Sequence, residues 1–156
     1  MHGFVDFLDP FSKSKLIISQ LSSGDVYKMH LGEEEQVKGK NPGDNGRTKF
    51  FIVLGKTTDG SIIGFTLINS HINENLTPEL KDNFYEIKPS AYSFLDHNSF
   101  VDCDQIKEIK ADKFCSLFKK DTKQGEINDS DMKLIIEAVK ASKVISKKTL
   151  KKFGLQ

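Results

Sequence analysis

KFFIVLGKTTDGSIIGFTLIN, residues Lys49 to Asn69, decides the fold. Phe50 to Leu54 is the longest uninterrupted apolar run in the chain. It is far too short to cross a membrane and has the composition of a central strand buried on both faces. TTDGS (Thr57–Ser61) supplies a hairpin turn, with Asp59-Gly60 as a primed-turn pair, and Ile62 to Asn69 forms the return strand. Strands joined so tightly are antiparallel, and their ends remote from the turn lie side by side. Arg47 and Lys49 are therefore expected near Asn69, Ser70 and His71.

Upstream, DVYKMHL (Asp25–Leu31) alternates Val26, Lys28 and His30 against Tyr27, Met29 and Leu31, the pattern of a strand with one buried face. The fifteen residues that follow, Gly32 to Gly46, hold four glycines and a proline without apolar period, and read as a long mobile loop. Leu16, Ile17, Ile18 and Leu21 suggest a short helix leading into the fold. Downstream, a polar loop precedes FYEIK (Phe84–Lys88), a fourth strand, and Ser99–Ile106 is a fifth, with Cys103 and Val101 turned to the core. DKFCSLF indicates a short helix and KKDTKQGE a polar break. Lys133 onward is basic, and Leu134, Ile135, Ala138, Val139 and Ile145 share a helical face behind an N-cap at Asn128 or Ser130. Strands first and helices last give an α+β domain, a small barrel-like sheet with C-terminal helices. The organisation is an N-terminal extension (1–23), a main domain (24–146) and a basic C-terminal tail (147–156), which reads as a turn or short helix.

At 156 residues the chain can bury a real core. A net charge of +1 excludes bulk attraction to polyanions, so any nucleic-acid contact must come from local patches. Cys103 and Cys115, the two cysteines, read as reduced thiols of a cytoplasmic protein. MHGFVDFLDPF lacks the basic and apolar regions of a signal peptide. His2, His30, His71 and His97 are scattered without ligand spacing, and no phosphate-binding glycine loop, HExxH or nucleophile elbow is present. What remains is a pair of polar strand ends. One carries Arg47, the single arginine among 23 basic Lys and Arg side chains, with Lys49; the other carries Asn69, Ser70 and His71. Cation, hydroxyl and imidazole together could stabilise a phosphorane and move protons. A solvated loop arginine beside a turn that begins at Ser70 is the plain alternative.

GDVY (Gly24–Tyr27), KFFIVLG, FTLINS (Phe65–Ser70), YEIKPSAYSFLDHNSFVDCDQIKEI (Tyr85–Ile109) and INDSDMKLIIEAVKAS (Ile127–Ser142), in that order, resemble the MazF/PemK toxins. The resemblance covers roughly Gly24 to Ile145, and CDQIKEI is its most specific part. It implies an SH3-like barrel, no cofactor or metal, and cleavage of single-stranded RNA to 2′,3′-cyclic phosphate and 5′-hydroxyl ends. It also implies a homodimer, expected to use sheet edges and the apolar face of the 129–145 helix, and a protein antitoxin that occludes the groove. By resemblance Arg47, Ser70 and His71 are the catalytic set, with Lys49 and Asn69 binding substrate. The family's arginine directly precedes a proline and the strand. Here Lys49 holds that place, the proline is absent, and Arg47 lies two residues earlier. A non-catalytic module of the same fold that binds RNA or a protein is the alternative.

Overall fold

The structure is a computed structural model that describes residues 9–72 and 75–156; Met1 to Leu8, including His2, and residues 73–74 lie outside the described residues. The hairpin forms as expected. β2 (Arg47–Lys56) and β3 (Ile62–Asn69) pair antiparallel, with Phe51 opposite Leu67 and Phe50 opposite Ile68. β1 (Asp25–Leu31) lies on the other edge of β2, and β7 (Lys123–Glu126) lies beyond β1. The far edge of β3 is shared. β6 (Lys107–Lys110) covers its first half and β5 (Ser99–Asp102) its last two residues, with β4 (Phe84–Ile87) outside β5. The result is one curled antiparallel sheet of seven strands, ordered β4-β5-β3-β2-β1-β7 with β6 beside β3. The helices are α1 (Pro10–Ser19), α2 (Pro78–Asp82), α3 (Ala111–Leu117), α4 (Asp129–Ala141) and α5 (Lys147–Lys152), so the α+β class holds.

Strand alternation sorts the core into two layers. On one face, Ile52, Leu54, Val26, Ile68 and Val101 pack beneath Met132, Ile135 and Val139 of α4 and Leu150 of α5, with Cys103 in the same layer. On the other face, Phe51, Val53, Tyr27, Met29, Ile63 and Phe65 pack against Ile17 near the end of α1 and Phe114 of α3. The second layer is aromatic: Phe51 and Phe65 lie 4.6 Å apart between ring centroids, and Tyr27 meets Phe114 edge-on at 5.0 Å. Asp9 and Pro10, which break the apolar N-terminal stretch, start α1: the Asp9 carboxylate accepts from the Ser12 N–H at 2.9 Å. At the start of α4, Asn128 caps the helix by accepting from the Asp131 N–H at 2.8 Å. Asp131 in turn accepts from the hydroxyls of Tyr85 and Tyr92, which ties α4 to the sheet.

Several expectations are corrected. The hairpin turn is not primed, because Thr58 and Asp59 are outside the left-handed region and Gly60 alone occupies it, at φ 73°. The Asp59 carboxylate instead accepts from Thr57 Oγ1 at 2.7 Å and the Ser61 N–H at 3.0 Å, an Asx arrangement that fixes the loop without a primed turn. Leu134 is 48% exposed, since the inward stripe of α4 runs through Met132, Ile135 and Val139. The apolar face of α4 is thus spent on the protein's own sheet rather than left for a second copy. β6 and β7 were not expected as strands. KQGE of β7 has no apolar residue and joins through backbone pairing to β1. Within residues 147–156 the expected short helix forms as α5, and Leu150 and Phe153 also enter the core.

Phe153 has a prepared seat. A Cβ on Gly64 would lie 2.8 Å from its ring, and one on Gly55 would lie 2.3 Å from its carbonyl oxygen. Only glycine lets the C-terminal segment approach these strands so closely. We expect Gly64→Ala to lower stability by about 1–3 kcal/mol through overpacking. Chemical denaturation, compared with the loss in Phe153→Ala, checks it.

Candidate functional site

The site grows out of the aromatic layer. Along β2, the face that carries Val53 and Phe51 continues to Lys49 and Arg47; along β3, the matching face runs from Phe65 through Leu67 to Asn69. At the open end of the sheet the buried rings give way to polar groups. Lys49 Nζ donates to Asn69 Oδ1 at 2.8 Å, which joins the two strand ends as the hairpin geometry requires. Arg47 is not in a loop: it is the first residue of β2, opposite Leu31, and its side chain is exposed.

Around this pair lies a groove of about 350 Å³ whose lining includes Arg47, Lys49, Asn69, His71, Asp102 and Lys107. Four of the five residues expected from the sequence thus meet in one place. Ser70, one residue past the end of β3, is absent from this groove and lines an adjoining recess together with Arg47, Lys49, Phe94, His97 and Ser99. Asp102, Gln105 and Lys107 were missed as site residues. The signal was DCDQIK (Asp102–Lys107), whose chain turns from β5 into β6 and delivers both Asp102 and Lys107 to the groove.

Burial shapes the charges here. Desolvation holds the Lys49 ammonium below its ordinary range, and the nearby Arg47 charge lowers it further. Desolvation also lowers Lys107, against the opposing pull of Asp102. The Asp102 carboxyl is raised by burial, partly offset by the Asp104 N–H that it accepts at 3.0 Å. Such a groove favours an anion, because its cations are partly stripped of water and Asp102, the carboxyl lining it among the described residues, is disfavoured as a charge.

The connection from Gly32 to Gly46 forms one wall, and its first part is anchored rather than mobile. Glu33–Glu35 forms a 3₁₀ turn, and Glu35 is 2% exposed. Its carboxylate accepts from Lys113 Nζ at 2.8 and 2.9 Å and from the Gly32 N–H at 2.8 Å. Gln36 follows in the left-handed region at φ 59° and presents its carbonyl to Lys107 Nζ at 3.0 Å. Lys107 is thereby held between the loop and β6.

Among the described residues no group of three or more His, Cys, Asp or Glu side chains is arranged to hold a metal ion. No described helix is long and apolar enough to cross a membrane. Cys103 and Cys115 are both free thiols. Compared with known proteins, the chain matches no family model and no curated sequence.

The raised Asp102 pKa gives a test of the groove's electrostatics. Between the ordinary carboxyl value of 3.8 and the raised native value, the folded state binds more protons than the unfolded state. Stability therefore falls as pH climbs through that window, and the full cost of the buried charge persists above it. Asp102→Asn keeps an oxygen to accept from the Asp104 N–H. It should raise the thermal midpoint at pH 7, with the gain shrinking as pH falls through the raised native value and vanishing below the ordinary value of 3.8. Melting curves across this range check both the sign and the window.

Proposed function

We propose that the protein is a metal-independent endoribonuclease acting on single-stranded RNA, on an SH3-like barrel of the MazF/PemK type. The observation that carries this reading is the single groove holding Arg47, Lys49, Asn69 and His71, with the Lys49–Asn69 hydrogen bond across the strand ends. In the reaction, the RNA 2′-oxygen attacks the adjacent phosphorus while its proton passes to His71. The P–O5′ bond breaks, and Lys107 returns a proton to the departing 5′-oxygen. The products are a 2′,3′-cyclic phosphate and a 5′-hydroxyl end. Arg47 and Lys49 hold the non-bridging oxygens, where negative charge builds up in the transition state. Asn69 orients Lys49. Every step uses side chains that line the groove.

A second copy and a protein antitoxin complete the proposal. With the inner stripe of α4 already covered, the surface for a second copy is the β4 and β7 edges together with exposed Leu134 and Val144. A non-catalytic RNA-binding or protein-binding module is the second reading. It is favoured by the position of Ser70, which lines the adjoining recess rather than the groove that holds Asn69 and His71.

Incubation of a mixed RNA pool with the protein in EDTA separates the readings, since cleavage supports the first and intact RNA the second. Arg47→Ala should lower the cleavage rate by about 10²–10³, the usual cost of one transition-state donor. Arg47→Lys should also impair it, because an ammonium cannot grip two phosphate oxygens at once. Both variants should melt like the parent, as the side chain is exposed. Wild-type rates in Arg47→Ala and Lys49→Ala alike would overturn the assignment.

A further inference from the structure

The recess that receives Ser70 is unexplained by the reaction above. It measures about 190 Å³, and its lining includes Arg47, Phe50, Phe94, His97 and Ser99. Phe50 and Phe94 stand 6.1 Å apart between ring centroids, inclined by 36°. Both are only half-buried, although Tyr92 and Leu95 beside Phe94 are buried. Phe94 is backed by the β7 strand, where a Cβ on Gly125 would lie 3.1 Å from its ring. Its ring is therefore supported from behind and open in front. Lys28, opposite Phe50 on β1, places its ammonium 5.3 Å from the Phe50 ring centroid. His97 and Asp96 are exposed at the mouth, and the Ser99 hydroxyl donates to the His97 carbonyl at 3.1 Å.

Half-exposed rings bordered by cations are the chemistry that holds unpaired bases, with the ring stacking on the base and the cation meeting the phosphate. Arg47 and Lys49 line both this recess and the groove, so the two sites meet over the first residues of β2. We propose that the recess is a stacking subsite for one unpaired base of the RNA, next to the phosphodiester held in the groove. This rests on the RNA reading above and adds the place where a flanking nucleotide is received. Arg47 would then bind the phosphate that links that nucleotide to the reacting one. Ser70, His97 and Asp96 offer polar partners for the base edge, with Asp96 an acceptor for an exocyclic amino group.

The test uses the full chain and single-stranded 2′-O-methyl pentanucleotides, which lack the attacking hydroxyl, with 2-aminopurine placed at each position in turn. Binding should quench the fluorescence most strongly at one position. Phe94→Leu should abolish that quench and weaken binding about tenfold, within the usual worth of one stacked base. The salt dependence of binding should stay unchanged, because the phosphate contacts remain. His97→Ala alters an exposed side chain and gives a second measurement that does not depend on the packing of Phe94; it should also weaken binding. If the parent binds and quenches, but both variants behave identically to it, the base lies elsewhere and the subsite is refuted while the RNA reading stands. If the parent binds none of the oligonucleotides, the RNA reading fails and the subsite falls with it.

Discussion

The register between β2 and β3 is the constraint on which the rest depends. Both faces of β2 are covered, Phe51 and Val53 by the aromatic layer and Ile52 and Leu54 by the α4 layer. A slip of one residue would exchange the two sets and place phenylalanines where α4 needs aliphatic side chains. That register puts Lys49 within hydrogen-bonding reach of Asn69 and orders the charged end of the sheet. Folding energy and site geometry therefore come from the same pairing. The apolar burial that locks the strands also fixes the positions of the polar residues at their ends.

The charges of the groove are held against their solvation preference. Lys49 and Lys107 are lowered by burial, and Asp102 is raised by it. Groups in this condition are retained only where surrounding structure over-determines them. Here the surrounding structure is the Glu35–Lys113 ion pair, which fixes the loop, and the Gln36 carbonyl, which accepts from Lys107. The loop thus contributes to the groove through its backbone as well as its side chains.

Much of this was legible in the residues. FFIVL and IIGFTLIN announce two buried strands, the tight turn fixes their pairing, and Arg47, Lys49, Asn69 and His71 follow from that geometry. Ser70 departs from the groove, because a strand's two-residue period turns neighbours apart, and it meets Arg47 and Lys49 in the adjoining recess instead. β7 was hidden because KQGE offers no side-chain pattern; only the free edge of β1 makes it a strand. β6 was hidden for a related reason, as KEIK reads equally well as loop, and Lys107 was lost with it. The anchoring of the long loop was invisible because a buried glutamate needs a lysine nearly eighty positions away, Lys113. Leu134 was assigned to the wrong face because helical stripes shift by one residue when the inward line begins at Met132.

The seat of Phe153 on Gly55 and Gly64 bears on how the chain reaches this state during its synthesis. The hairpin leaves the ribosome early and can pair at once, since its contacts are local. Its helix-covered face stays open until α4, α5 and Phe153 have all been made, because these elements come last among those that build that layer. Until then the nascent sheet shows Ile52, Leu54 and two bare glycine steps to the surrounding solution. The protein thus passes through a stage in which an apolar, backbone-exposed surface must be shielded or must wait, and that stage lasts until Phe153 has been made.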